Sequence, residues 1–269
     1  LKRCIKSILN KTSYSNYEIL IVDNGSVVPG MIKYFKEIQK NSRIRVIHND
    51  RPLNFSALNN HAVAQAKGDL VGLLSDDIEV ISKGWLDEMV SLASQRNAGA
   101  IGARLLYPNG TIRHAGIILG LGKERVAGHS HINVSKSAFG YFGRTTLMQS
   151  LSAVTAACLV IRKDTYIEAG GFNEDELGVS FGDVDFCLRV RAAGQKNTWT
   201  PFAELYHHES ASRGYQDVTE NRNRFEGEVA YMQKTWGDVL LADPAYSPNL
   251  TLEHGDFTYA WPPRLNQLA

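Results

Sequence analysis

Apolar positions along the chain follow two rhythms. Leu1, Cys4, Ile5, Ile8 and Leu9 recur at helical spacing, so the sequence opens inside an amphipathic helix. Residues 18–22 form a short, nearly continuous apolar run that predicts a buried strand; 31–40 predict a helix and 44–47 a second strand. Phe55, Leu58, Ala62, Val63 and Ala66 make another helical stripe, with Gly68 as its stop. Residues 70–74 read as a strand and 85–94 as a helix. Strands alternating with helices at this spacing predict parallel βαβ units, whose ligands bind beyond the carboxyl ends of the strands.

The rhythm then changes. Residues 100–106 and 112–119 flank Tyr107-Pro108-Asn109-Gly110, which predicts a hairpin. Residues 120–150 carry Gly, Ser and His without periodicity, a functional or mobile loop by length. A strand is predicted over 152–161, a helix over 183–193 ended by Gly194, and a strand over 202–207. Phe225, Val229, Met232 and Trp236 mark a last amphipathic helix. The proline-bearing tail that follows is expected to run extended over the surface.

With 269 residues and 43% hydrophobic content, the chain can build one large or two modest cores. Its 29 Lys+Arg against 28 Asp+Glu give a net charge of +1, which supplies no basic field for nucleic acid. No run approaches the roughly 18–20 apolar residues that span a bilayer. The first residue is Leu rather than Met and no signal peptide is recognisable, so a fragment is expected. Cys4, Cys158 and Cys187 form no CxxC pair, which argues for buried thiols in a reducing compartment over a disulfide scaffold or zinc cage.

Chemistry concentrates at predicted strand ends. Asp23, before Asn24-Gly25-Ser26, is either a turn cap or an acceptor for a base imide N–H or ribose hydroxyls. Ser75-Asp76-Asp77 follows an apolar strand, and adjacent carboxylates there are satisfied by a divalent cation, by ligand hydroxyls or by solvent. Asp183 opens a helix, either as a cap or as a carboxylate kept ionised by the helix end and able to take a proton. Asp185 and Arg189 read as an ordinary helix-surface pair. In Tyr206-His207-His208-Glu209-Ser210 the histidines alternate faces, so only one can join Asp77 at an ion, and an imidazole with carboxylate oxygen suits Mn²⁺ or Mg²⁺. His129, His131, Tyr141, Phe142 and Arg144 either close over a ligand or pack locally.

Together, Glu18 to Ser26, Asn60 to Gly68, Leu-Leu-Ser-Asp-Asp-Ile, Gly171-Phe-Asn-Glu174, Gly-Asp-Val-Asp-Phe-Cys-Leu-Arg and Tyr206 to Gly214 resemble a family 2 glycosyltransferase of bacterial polysaccharide or O-antigen type. The resemblance covers residues 1 to about 215 and leaves 216–269 as a carboxyl-terminal helix and tail packed on that domain. It implies a GT-A fold, a Rossmann-like mixed α/β sheet flanked by helices. It also implies inverting transfer of a sugar from a UDP- or dTDP-type donor to a hydroxyl of a glycan or lipid-linked acceptor, in the cytoplasm or at the inner face of the membrane. By position, Asp23 would hold the base, Asn54 would approach the nucleotide or cap its helix, and Asp76 would hold the ribose or donor sugar. Asp77 and His207 would hold Mn²⁺ or Mg²⁺, with His208 the alternative to His207, and Asp183 would be the general base. Ser75 stands where the family commonly has an acidic residue or Asn, which implies fewer protein ligands to the metal. The family's first strand precedes the helix at residue 1; without it an open edge is expected beside the Asp23 strand, along with weaker nucleotide binding.

Other classes fit less well. A nucleotidyltransferase would bring a Gly-rich basic phosphate loop near the amino end, and a dinucleotide oxidoreductase a GxGxxG after a strand; neither is present. A non-catalytic glycan-binding or assembly module derived from a transferase is the alternative.

Overall fold

The structure, a computed structural model, describes residues 1–208 and 219–264. In chain order the elements are α1 (Lys2–Lys11), β1 (Ile19–Asp23), α2 (Pro29–Ile38), β2 (Ile44–His48), α3 (Phe55–Gln65), β3 (Leu70–Leu74), β4 (Ile78–Val80), α4 (Trp85–Ala93) and β5 (Ala98–Leu106). They continue as β6 (Ile112–His114), β7 (Ile117–Leu119), β8 (Ala127–His129), β9 (Gln149–Ser150), β10 (Cys158–Arg162), α5 (Lys163–Glu168), α6 (Gly182–Ala192), β11 (Lys196–His207) and α7 (Thr219–Leu241).

The local pattern places most elements correctly but not all of their partners. β1 and β2 pair in parallel, from Ile19 opposite Ile44 to Asp23 opposite His48. β3, however, lies antiparallel to β10 in a separate mixed sheet of order β3-β10-β5-β11-β4. β10 reads Cys-Leu-Val-Ile-Arg, a run whose partners are chosen by long-range packing: Leu159 and Ile161 enter one core, Cys158 and Val160 the other. Among the described residues β1 has β2 as its only ladder partner, so the edge expected beside the Asp23 strand is present.

Four further differences have local causes. The 152–161 strand begins only at Cys158, because the backbone before it bonds sideways: Ser75 N–H to the Ala157 carbonyl, Ala156 N–H to Asp183. The second hairpin strand breaks at Gly116, whose φ is +101° and whose missing Cβ leaves the space filled by Leu151. α3 ends at Gln65, with Ala66 already extended, so Gly68 is not its stop. The tail does not simply cover the surface: Tyr246, Leu250, Leu252 and Phe257 join Ile118 and Leu121 in a small core of their own.

With β6 paired to β5 and β9 to β11, this sheet has seven strands and a core on each face. One, with Phe172, Phe186, Trp199 and Met232, is covered by α3, α6 and α7. The other, with Met89, Ile101, Leu105 and Leu205, is covered by α1 and α4. α1 also joins the two sheets, since Cys4 and Ile8 enter that second core while Ile5 packs with Ile21, Phe35 and Ile44 over β1–β2. The proposed division near residue 215 lies outside the described residues.

Candidate functional site

The acidic turn after β3 is built tightly. Ser75 Oγ donates to Asp77 Oδ1 at 2.6 Å, and the His207 Nε2 lies 3.2 Å from the same oxygen. His207 ends β11 opposite Ile78 and is buried, whereas the Asp76 side chain is 70% exposed. Strand alternation turns His208 elsewhere. Its Nε2 is 2.9 Å from Glu79 Oε2, and Arg3 lies 3.0 Å from its Nδ1. Burial raises the Glu79 carboxyl, but His208 and Lys11 outweigh that and hold it below its ordinary value.

Asp183 sits in the first turn of α6, behind Phe181 in the left-handed region at φ 60°. Its Oδ2 accepts from Ala156 N at 3.0 Å and its Oδ1 from Val184 N at 3.0 Å. Burial nevertheless pushes its carboxyl up, against the donors at Ala156, Thr155 and Val184. Desolvation thus outweighs the helix end, which the sequence pattern leads us to expect would keep this carboxylate ionised. Desolvation leaves a carboxylate with raised proton affinity, the setting of a general base.

Asp23 is buried at the carboxyl end of β1. Its Oδ1 accepts from Ser26 N at 3.0 Å and its Oδ2 lies 3.0 Å from His48 Nδ1. Burial acts to raise its carboxyl, yet the Ser26 and His48 contacts together hold it below its ordinary value. Asn54 caps α3, accepting from Ala57 N at 2.9 Å and donating to the Glu174 carbonyl at 2.8 Å. Both ends of its amide are thus engaged within the protein.

Several supporting residues carry no local signature. Asn60 accepts from Tyr166 Oη and Phe172 N and donates to the Phe172 carbonyl, tying α3 to the Gly171-Phe172 turn; only its place in a familiar stretch singled it out. Asp185 is not on the surface. It is 1% exposed, pairs with Arg189 at 2.8 Å and accepts from Trp236 Nε1 at 2.8 Å, docking α7 onto α6. In the long loop His131, Tyr141 and Arg144 pack around Phe257, so local packing holds for them, while Phe142 is exposed. His114 and His129 meet at 2.7 Å, and burial, with Arg113 and His207 adding, pushes His114 down to about 3. The three cysteines are buried and unpaired, with burial raising each thiol.

Among the described residues no three His, Cys, Asp or Glu side chains converge as a cation site. One carboxylate oxygen and one imidazole nitrogen, converging at Asp77 and His207, fit a hard divalent ion that takes its other ligands from phosphate oxygens and water. They do not fit an ion caged by protein alone.

The profile described as Glycosyl transferase family 2 matches residues 1–163. The chain is 52% identical over 263 residues to protein y4gI of Sinorhizobium fredii, covering 97% of this chain and 29% of that protein. It is 35% identical over 257 residues to the O-antigen biosynthesis protein RfbC of Myxococcus xanthus, covering 95% and 20%. It spans less than a third of the length of both. In structure it resembles GalNAc-T7 solved with UDP, GalNAc and Mn²⁺, with a TM-score of 0.64 at 14% identity, covering 93% of this chain and 56% of that one. It also resembles the mannosyltransferase PcManGT of Pyrobaculum calidifontis solved with GDP-Man and Mn²⁺, at 0.58 and 13%, covering 87% and 60%. These likenesses establish the GT-A fold.

Proposed function

From the premise that the chain belongs to glycosyltransferase family 2, we propose that it transfers a sugar from a UDP- or dTDP-type nucleoside diphosphate donor to a hydroxyl of a glycan or lipid-linked acceptor, with inversion at the anomeric carbon. The observation that carries this reading is the joint anchoring of the Asp77 turn and Asp183 on adjacent residues, Ala157 and Ala156. One edge of the sheet thus offers a cation-binding pair and, beside it, a carboxylate of raised proton affinity.

In this reading Asp183 takes the proton of the acceptor hydroxyl as its oxygen bonds to the anomeric carbon and the bond from that carbon to the diphosphate breaks. Asp77 and His207 hold a divalent cation, which when bound neutralises charge building on the leaving diphosphate. Ser75 fixes the Asp77 carboxylate, and Asp76, whose largely exposed carboxylate lies 3.6 Å from the Leu1 amino group, reaches the ribose or sugar hydroxyls. Asp23 holds the base. Asn54 shapes the nucleotide's surroundings through its helix cap.

The name of the Myxococcus xanthus relative, an O-antigen biosynthesis protein, supports polysaccharide assembly, and the Mn²⁺ of the two solved neighbours supports the cation. No described helix is long and apolar enough to cross a membrane. A thermal-shift screen of nucleotide sugars with Mn²⁺ tests the reading, because a ligand that binds only the native state raises Tm. Stabilisation by UDP- or dTDP-sugars with hydrolysis of the donor supports the transferase; stabilisation by glycans alone points to a binding module.

A further inference from the structure

We propose that Glu228, in α7, is a positioning residue for Asp183, holding the loop from which the base projects. The inference rests on reading Asp183 as the base. Glu228 is 2% exposed, and its Oε1 accepts from both Val179 N at 2.8 Å and Ser180 N at 3.1 Å. Its Oε2 is buried with no partner among the described residues. A carboxylate in such a place is costly unless its bonds matter to the fold or the site, since burial without full pairing is unfavourable.

The loop it grips is held from the opposite side by α3. Ser56 N donates to the Gly178 carbonyl at 3.3 Å and Ser56 Oγ to the Leu177 carbonyl at 2.5 Å. At Gly182 a Cβ would lie 2.9 Å from Ser56 Oγ, so the chain passes with no room to spare. Phe181 takes the left-handed conformation and packs 5.7 Å from Phe225, one turn before Glu228. Residues 177–181 thus lack regular structure of their own and are located by Ser56 on one wall and Glu228 on the other. Asp183 follows directly, so a shift of Val179 and Ser180 moves its carboxylate, and a misplacement of roughly 1 Å is enough to cost about a hundredfold in rate.

The geometry needs one acceptor oxygen within reach, and this sets the test. Glu228→Gln keeps that oxygen, Glu228→Ala removes it, and Glu228→Asp keeps the charge but shortens the reach. Hydrogen exchange read by mass spectrometry is expected to show the 177–182 amides exchanging about tenfold or more faster in the Ala and Asp variants and at the wild-type rate in Gln. Mn²⁺-dependent hydrolysis of the UDP-sugar selected by thermal shift is expected to lose kcat about tenfold or more in the Ala and Asp variants, with UDP affinity unchanged and Gln near wild type. Equal exchange at 177–182 in all four proteins overturns the proposal, and so does an equal loss in Gln and Ala. Asp183→Asn run alongside separates the two readings: hydrolysis kept in Asp183→Asn defeats the base, whereas hydrolysis lost there but kept in Glu228→Ala defeats only the role of Glu228.

Discussion

Ser75 and Asp183 are held by consecutive residues: the Ala157 carbonyl accepts the Ser75 N–H at 3.0 Å, and the Ala156 N–H donates to Asp183 Oδ2 at 3.0 Å. The turn that carries Asp77 and the candidate base therefore share one anchor, and each can be changed without displacing the other's bond.

Asp183→Asn is expected to abolish donor turnover while leaving UDP affinity intact, because the amide keeps an acceptor for Ala156 but takes no proton. The folded-state value of Asp183 is raised above its ordinary 3.8. The native state then binds this proton more tightly than the unfolded chain, so the favourable contribution is present below 3.8 and is lost as pH rises through the folded value. Asp183→Asn should therefore melt above wild type at pH 7, and the gap should close near pH 3.8. A lower Tm for the variant at pH 7 would contradict desolvation as the dominant influence.

Asp23 has the opposite sign. Its folded value is lowered, so its contribution is present above 3.8 and fades as pH falls through the folded value. Asp23→Asn should lose about 1–3 kcal/mol at pH 7, the worth of hydrogen bonds to a charged group, and little at pH 2. Denaturant melts at both pH values check this.

If Asp23 holds the base as proposed, His48 competes with it, since its Nδ1 already lies 3.0 Å from Oδ2. His48→Ala is expected to bind UDP as tightly as wild type or more tightly, measured by calorimetry with Mn²⁺. Weaker binding would mean that the imidazole itself touches the base.

Ser75→Ala removes the hydroxyl that orients Asp77. By analogy with other groups that support a metal ligand, it should weaken Mn²⁺ binding in the presence of UDP about 10- to 100-fold. His207→Ala should do at least as much, and His208→Ala nothing, because His208 faces Glu79 and Arg3. Titration of Mn²⁺ followed by electron paramagnetic resonance distinguishes the three.

Asn60→Ala should cost about 2–3 kcal/mol through the loss of bonds to Tyr166 and Phe172, lowering Tm by roughly 5–10 °C. An unchanged melt would show that the turn at Gly171 holds itself.

What the sequence reveals and conceals follows from range. Asp23, Asp77 and His207 stand out because each ends an apolar run, and the 2-residue period of a strand separates His207 from His208 before any contact is seen. The pairing of β3 with β10 is not legible, since five apolar residues in a row suit several neighbours and packing from distant segments selects among them. Asp185 looks like an i,i+4 surface pair because the pattern with Arg189 is local; its burial depends on Trp236, 51 residues on. Glu228 hides for the same reason: on a helix rich in charge, nothing local marks it as a carboxylate that turns inward.

Apart from the small β7–β8 sheet, the described strands fall into two sheets with cores of their own, so the protein is expected to behave as two thermodynamic compartments. Asp23 and His48 belong to the smaller, a pair of strands and one helix joined to the rest through α1 and through the end of α3, where Arg45 donates to the Gln65 carbonyl and Glu18 accepts from Lys67 N; Asp77, Asp183 and His207 belong to the larger. With Asp23 read as the residue that holds the base, a fluctuation that opens the smaller compartment is expected to weaken nucleotide binding while the reacting end keeps its shape. Substitutions that loosen β1 and β2 will then appear as changes in KM, and those in the larger sheet as changes in kcat.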